Sequence, residues 1–116
     1  DFVEFAPAAI NTILKNIALL GCSESCHLWR KKVDAYLKTC DTKYDIIFLD
    51  PPYEKNLINP ALKCIYEKSL LNEEGIIIAE HSPREIIAED FLPYITKEKN
   101  NKRTHFTWLR ARQEEG

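Results

Sequence analysis

The sequence contains no methionine and only three glycines among its 116 residues. Without a methionine, residue 1 is not an initiator, and the chain opens directly on the apolar pair Phe2-Val3. Both features predict a piece of a longer protein. The glycines, Gly21, Gly75 and Gly116, are too scattered to form a glycine-rich loop. No apolar run approaches the roughly 20 residues that cross a bilayer. Asp1 and Glu4 stand where a signal peptide would carry its basic residues, so the expected compartment is the cytoplasm. Neither charge sign dominates: the net charge is −2. That is not the overall signature of a nucleic-acid binder, and such a role requires a local basic patch. Internal repeats and low-complexity segments are also lacking.

What is present is enough for one packed domain. Hydrophobic residues make up 45% and charged residues 29%, which argues against a disordered tail, and the length suits a single domain over 1–116. Of the four cysteines, Cys22 and Cys26 are spaced C-x3-C with His27 adjacent. Zinc would need Cys40 to join them across a helical segment. Four free thiols in a reducing compartment is the favoured reading, with no metal.

Residues 2–4 read as the end of a strand. Pro7 suits the first turn of a helix whose apolar face is Ile10, Ile13, Leu14, Ile17 and Leu20, closed by Gly21. A short strand at 26–29 and one or two helical turns at 33–38 follow. Residues 44–49 form a strand without alternation, Ile46 to Leu49 being consecutively apolar, which predicts a central parallel strand covered on both faces. Asn59 is expected to cap a helix with Pro60 at its first position. Glu73-Glu74-Gly75 is expected to close it and lead into a strand at 76–79. A helical segment at 84–91, broken by Pro93, precedes a hairpin with arms at 94–99 and 103–112. In the second arm Thr104, Phe106 and Trp108 alternate with His105, Thr107 and Leu109. The alternation of strands and helices predicts an α/β sheet with parallel strands and an antiparallel edge.

The strand at 44–49 ends abruptly in Asp50-Pro51-Pro52-Tyr53. Ligands of open α/β sheets bind at the carboxyl ends of strands, where Asp50 lies. The prolines remove two N–H donors and stiffen the backbone, and Pro51 keeps Asp50 out of helical dihedrals. The product is a rigid loop with a carboxylate, accepting carbonyls and an aromatic face. It suits a planar group bearing an NH₂: Asp50 and the Pro51 carbonyl accept its hydrogens, and Tyr53 stacks on the ring, worth about 1–3 kcal/mol per base.

This tetrapeptide resembles the D/N-P-P-Y/F motif of S-adenosylmethionine-dependent amino-methyltransferases. Over essentially its whole length the chain resembles the RsmD-like family, which methylates a guanine N2 in 16S ribosomal RNA. The stretches "FVEF", "VDAYL", "YDIIFLDPPYEKN", "GIIIAEHS" and "FTWLRAR" carry the likeness. It implies a Rossmann-like class I methyltransferase sheet with a C-terminal antiparallel hairpin. In that sheet the family's first strand lies between the strand at 2–4 and the strand at 44–49. The sheet then runs outwards through the strand at 76–79 and the second hairpin arm to the first arm.

The resemblance implies S-adenosylmethionine as cofactor. Glu4 matches the acid on the ribose hydroxyls, Phe5 packs on adenine, Asp34 accepts from the adenine amino group, and Ala35 leaves room for the ring. Asp50, Pro51, Pro52 and Tyr53 hold the target base, and Asp50 also borders the cofactor. Glu80 lies near the same edge without an assigned role. The family's glycine-rich turn has no match here, so the first strand is expected upstream of "FVEF". Without it, two inner edges would stand about 9–10 Å apart, and the fragment alone is expected to be marginal or inactive.

Other features have plainer readings. Lys97, Lys99, Lys102 and Arg103, like Arg30, Lys31 and Lys32, read as solvated charged edges, although either run suits phosphates. The three histidines show no nucleophile partner, and Trp29 and Trp108 read as packing. Glu4 and Asp34 also suit solvated loop acids, Glu4 near the positive end of the following helix. The expected partner is 16S ribosomal RNA or an assembling small subunit, with no membrane, and with a monomer for the full-length protein. The alternatives are a DNA adenine-N6 or cytosine-N4 methyltransferase, for which no target-recognition insertion is evident, and a non-catalytic fragment or nucleic-acid-binding scaffold.

Overall fold

The computed structural model describes residues 1–52 and 55–112. The chain forms two compact units, Asp1–Thr39 and Cys40–Gly116.

In the first unit, β1 (Phe2–Val3) and β2 (Leu28–Trp29) pair in parallel, Phe2 against Leu28 and Val3 against Trp29. Flanking amides extend the ladder: Phe2 N–H donates to His27 O (2.8 Å) and Glu4 N–H to Trp29 O (3.0 Å). Helix α1 (Pro7–Leu20) makes the crossover, with Pro7 in its first turn as expected. Gly21, at φ 64°, ends it in the left-handed region that glycine tolerates. The inner stripe is Ile10, Ile13 and Ile17, whereas Leu14 and Leu20, assigned to the same face from their spacing, are exposed. Helix α2 (Val33–Thr39) buries Tyr36 and Leu37. Trp29 stacks on His27 (4.2 Å between centroids) and tilts against Tyr36 (5.3 Å).

The second unit is a four-stranded sheet in the order β3-β4-β6-β5, formed by β3 (Tyr44–Leu49), β4 (Leu71–His81), β5 (Ile95–Asn100) and β6 (His105–Arg110). The β3–β4 pair is parallel, joined by helix α3 (Ile58–Glu67); β4–β6 and β5–β6 are antiparallel. This is the expected order for these strands. Strands β1 and β3 belong to different sheets. The architecture is α/β, with the parallel pairs of a Rossmann-like sheet and the expected C-terminal antiparallel hairpin.

Period-two alternation buries one face of this sheet: Ile77 and Ala79 of β4, Thr107 and Leu109 of β6. Ile58, Leu62 and Ile65 of α3 are as deeply buried, and α3 packs on β4. The Tyr66 hydroxyl donates to Arg110 O (2.7 Å), and its ring stacks on Tyr94 (4.6 Å) and Phe91 (5.6 Å). Burial pushes the Tyr66 phenol well above its ordinary pKa; the nearby Tyr94 adds to the rise and Arg110 opposes it.

Several local expectations are overturned, each by a tertiary partner. Asn59 lies inside α3, whose cap position is Leu57. Its side-chain amide donates to Ile86 O (2.9 Å), and its oxygen accepts from Ala88 N–H (2.8 Å). Those two backbone groups are therefore unavailable to the helix expected at 84–91. Ser82 draws the Arg84 and Glu85 amides into a turn, and a 3₁₀ helix at Glu89–Tyr94 takes the place of that helix, with Pro93 inside it. Helix α3 ends at Glu67, not near Gly75: Ser69 adopts φ 53°, and Leu70 N–H reaches Ile65 O (3.0 Å), a Schellman closure without glycine. Strand β4 accordingly begins at Leu71.

Gly75 sits where β4 shifts register against β3. A Cβ there would lie 2.7 Å from Leu71 Cδ1 and 2.9 Å from Asn72 O. Strand β3 is an edge strand with one face open: Ile46 and Phe48 are 64% and 56% exposed, against the expectation of two covered faces. The hairpin turns without glycine. The Asn101 side-chain oxygen accepts from the Arg103 and Thr104 amides (2.9 and 2.8 Å), and Asn101 N–H donates to Thr104 O (3.0 Å). Among the described residues no helix is long and apolar enough to cross a membrane.

Candidate functional site

In the first unit Glu4 and Phe5 follow β1, and Asp34 and Ala35 lie in α2, the helix that follows β2. Glu4 follows β1 directly. Its Oε1 accepts from the Phe5 and Ala6 amides (both 3.1 Å), which turns the chain into α1 and places negative charge at the helix's positive end. A carboxylate has about four lone-pair sites, so this local role leaves capacity for further hydrogens. Phe5 is 58% exposed, and the Lys32 ammonium lies 5.5 Å from its ring centroid. That contact ties the end of β1 to the segment after β2. Asp34 and Ala35 occupy the first turn of α2 and are both exposed. The Lys32–Phe5 contact runs across the ladder, so spacing along the sequence gives no sign of it.

The second unit positions Asp50, Pro51 and Pro52. Leu49 pairs with Ala79 in the β3–β4 ladder, so Asp50 emerges at the carboxyl edge of the sheet beside the end of β4. Asp50 and Pro52 are exposed and Pro51 is half-buried. Tyr53 lies outside the described residues. Glu80 pairs with Phe106 and His81 with His105 at the same edge, so the hairpin turn is brought there too. His81 is buried, its Nε2 2.9 Å from Thr107 Oγ1 and its Nδ1 3.1 Å from Ser82 O. That is the pattern of a satisfied structural histidine. Among the described residues no cluster of three or more His, Cys, Asp or Glu side chains is arranged to hold a metal.

The profile of one protein family, described as Conserved hypothetical protein 95, matches residues 1–110. The chain belongs to this family. Two curated relatives of the chain are named ribosomal RNA small subunit methyltransferase D, in keeping with the RsmD-like resemblance of the sequence. One such relative, from Buchnera aphidicola subsp. Baizongia pistaciae, is 27% identical over 96 residues, which are 81% of this chain and 49% of the relative. YlbH of Bacillus subtilis (strain 168) is 33% identical over 83 residues, 69% of this chain and 45% of YlbH. The chain thus spans about half the length of the curated relatives it matches. Among solved structures, a conserved hypothetical protein of Streptococcus pyogenes superposes with a TM-score of 0.85 at 23% identity, over 95% of this chain and 69% of that one.

The donor set in hand fits the nucleoside end of S-adenosylmethionine. Glu4 would offer carboxylate oxygens to a ribose diol, Phe5 an exposed ring, and Asp34 an exposed acceptor beside the small Ala35.

Proposed function

We propose that the chain is part of a single S-adenosylmethionine-dependent methyltransferase domain that acts on the exocyclic N2 of a guanine in 16S ribosomal RNA. The observation that carries this reading is the placement of Asp50-Pro51-Pro52 immediately after β3, at the carboxyl edge of the sheet, in a chain with relatives named ribosomal RNA small subunit methyltransferase D. When bound, the cofactor supplies an electrophilic sulfonium methyl group.

The residues of the chain do the rest. The flipped-out base costs a few kcal/mol of unstacking, which Tyr53 offsets by stacking. Asp50 and the Pro51 carbonyl accept the two amino hydrogens. Guanine N2 is a poor nucleophile because its lone pair is conjugated, and holding both hydrogens helps localise that pair and aim it at the methyl carbon. Glu4 and Asp34 anchor the ribose and adenine, with Phe5 against the ring and Ala35 leaving it room. Positioning of this kind supplies much of a methyl-transfer rate. The partner is 16S ribosomal RNA, free or in an assembling small subunit; the compartment is the cytoplasm, and the full-length enzyme is a monomer.

The test is methyl transfer to small-subunit RNA and particles by the chain extended to the length of its relatives, read by nucleoside mass spectrometry. The expected product is N2-methylguanosine, and Asp50→Ala should lower the rate about 10²-fold or more. A different methylated nucleoside, or an unimpaired Asp50→Ala enzyme, refutes the assignment.

A further inference from the structure

The open face of the hairpin carries an arrangement that the methyl-transfer chemistry does not use. Phe106 and Trp108 point to the same face of β6, with ring centroids 6.2 Å apart and planes inclined by 39°. A register shift between Ile95 and Lys97 sets Lys97 opposite Trp108 and Lys99 opposite Phe106. The Lys97 ammonium lies 4.9 Å from the Trp108 ring centroid. Both rings are half-buried and both lysines exposed, whereas Thr107 and Leu109 on the other face are buried. At the tip, Asn101 fixes a turn that presents the exposed Lys102 and Arg103. Residues 95–104 thus carry four cations against one acid, Glu98, in a chain of net charge −2. Glu98 pairs with Thr107 and so belongs to the opposite face; on this one the acid Glu80 of β4 stands opposite Phe106.

Lysines on an edge strand discourage edge-to-edge pairing. That function does not require them to stand in register with two aromatic rings. Rings on a sheet face flanked by cations form a platform for single-stranded nucleic acid: bases stack on the rings and the cations meet the phosphates. Stacking of a base on a ring exceeds an exposed cation–π contact. A base can therefore displace the Lys97 ammonium from Trp108, and the ammonium moves to a phosphate. Because β6 runs antiparallel to β4, the tip of the hairpin lies at the sheet edge where Asp50 emerges.

We infer that the Lys97–Lys99 and Phe106–Trp108 face, with Lys102 and Arg103, is a docking surface for single-stranded RNA flanking the target nucleotide. The choice of RNA rests on the methyltransferase reading above.

The test is fluorescence anisotropy of a labelled single-stranded RNA and its duplex with the full chain, over a range of salt, without methyl donor. The single strand should bind more tightly than the duplex. Lys97→Gln with Lys99→Gln should weaken binding and lower the logarithmic salt slope by about 1.4, about 0.7 for each phosphate contact in single strands. Trp108→Leu should weaken binding about tenfold with a smaller effect on the slope. Lys15→Gln with Lys63→Gln removes the same charge elsewhere and should leave both quantities near wild type. Thermal melting confirms that each variant is folded; Lys97 and Lys99 are exposed, so their replacement preserves the fold. Equal losses in the two double variants, or wild-type affinity in both hairpin variants, overturn the inference. Methylation with unaltered binding by the hairpin variants overturns it and leaves the methyltransferase reading standing. Hairpin-dependent RNA binding by an extended protein that transfers no methyl group does the reverse.

Discussion

Replacing Asn59 separates two accounts of the same residue. As a helix cap it would be replaceable by serine or aspartate at little cost, since both cap well. As a clasp it uses both ends of its amide, towards Ile86 O and Ala88 N–H, and neither replacement reproduces both bonds. Each bond is worth about 0.5–1.5 kcal/mol net, so Asn59→Ala should cost about 2 kcal/mol. Domains of roughly 60–100 residues shift by about 4–8 °C per kcal/mol, which puts the melting temperature down by about 8–16 °C. Asn59→Asp keeps an acceptor for Ala88 but sets a carboxylate against the Ile86 carbonyl, and Asn59→Ser is too short to span the pair. Both should lose at least half of the alanine effect. The assay is thermal and urea unfolding of the four proteins side by side. Wild-type stability in the serine or aspartate variant would refute the clasp and restore the cap.

Two further outcomes follow from local geometry. Gly75→Ala would place a methyl group 2.7 Å from Leu71 Cδ1 and 2.9 Å from a backbone oxygen; overpacking of this kind costs about 1–3 kcal/mol, readable in urea unfolding, and an unchanged midpoint would mean that the β4 register shift is pliable. The raised Tyr66 pKa favours the protonated phenol in the folded state, so its contribution is intact below the ordinary tyrosine pKa of about 10 and is lost as pH rises beyond it. Melting temperature should hold steady through neutral pH and fall above about pH 10. Tyr66→Phe should flatten that fall while costing about 1 kcal/mol at neutral pH through loss of the bond to Arg110 O; a variant with the full alkaline slope would show that other groups produce it.

What the sequence determined by itself is whatever depends on near neighbours in the chain. Pro7 and Gly21 bound α1 because one tolerates a helix start and the other a left-handed residue. The apolar run 46–49 became a parallel strand and put Asp50 at a carboxyl edge, since period and strand direction are local properties. The alternation of Phe106 and Trp108 with Thr107 and Leu109 fixed which side of β6 is buried. Tertiary structure decided the rest, because partners distant in sequence chose among local options. Asn59 and the 86–88 backbone satisfied each other in place of a cap and a helix. Ser69 accepted a left-handed conformation, so β4 began at Leu71, four residues before the glycine that local rules favour. Strand β3, apolar on both faces in sequence, left Ile46 and Phe48 exposed on one of them, because packing over a sheet face and not the pattern along the strand decides its burial. The pairing of Lys97 with Trp108 came from a register shift, which no periodicity encodes. Hydrogen-bond satisfaction and register are settled between elements, after each element has formed, and a sequence read along its length sees only the candidates.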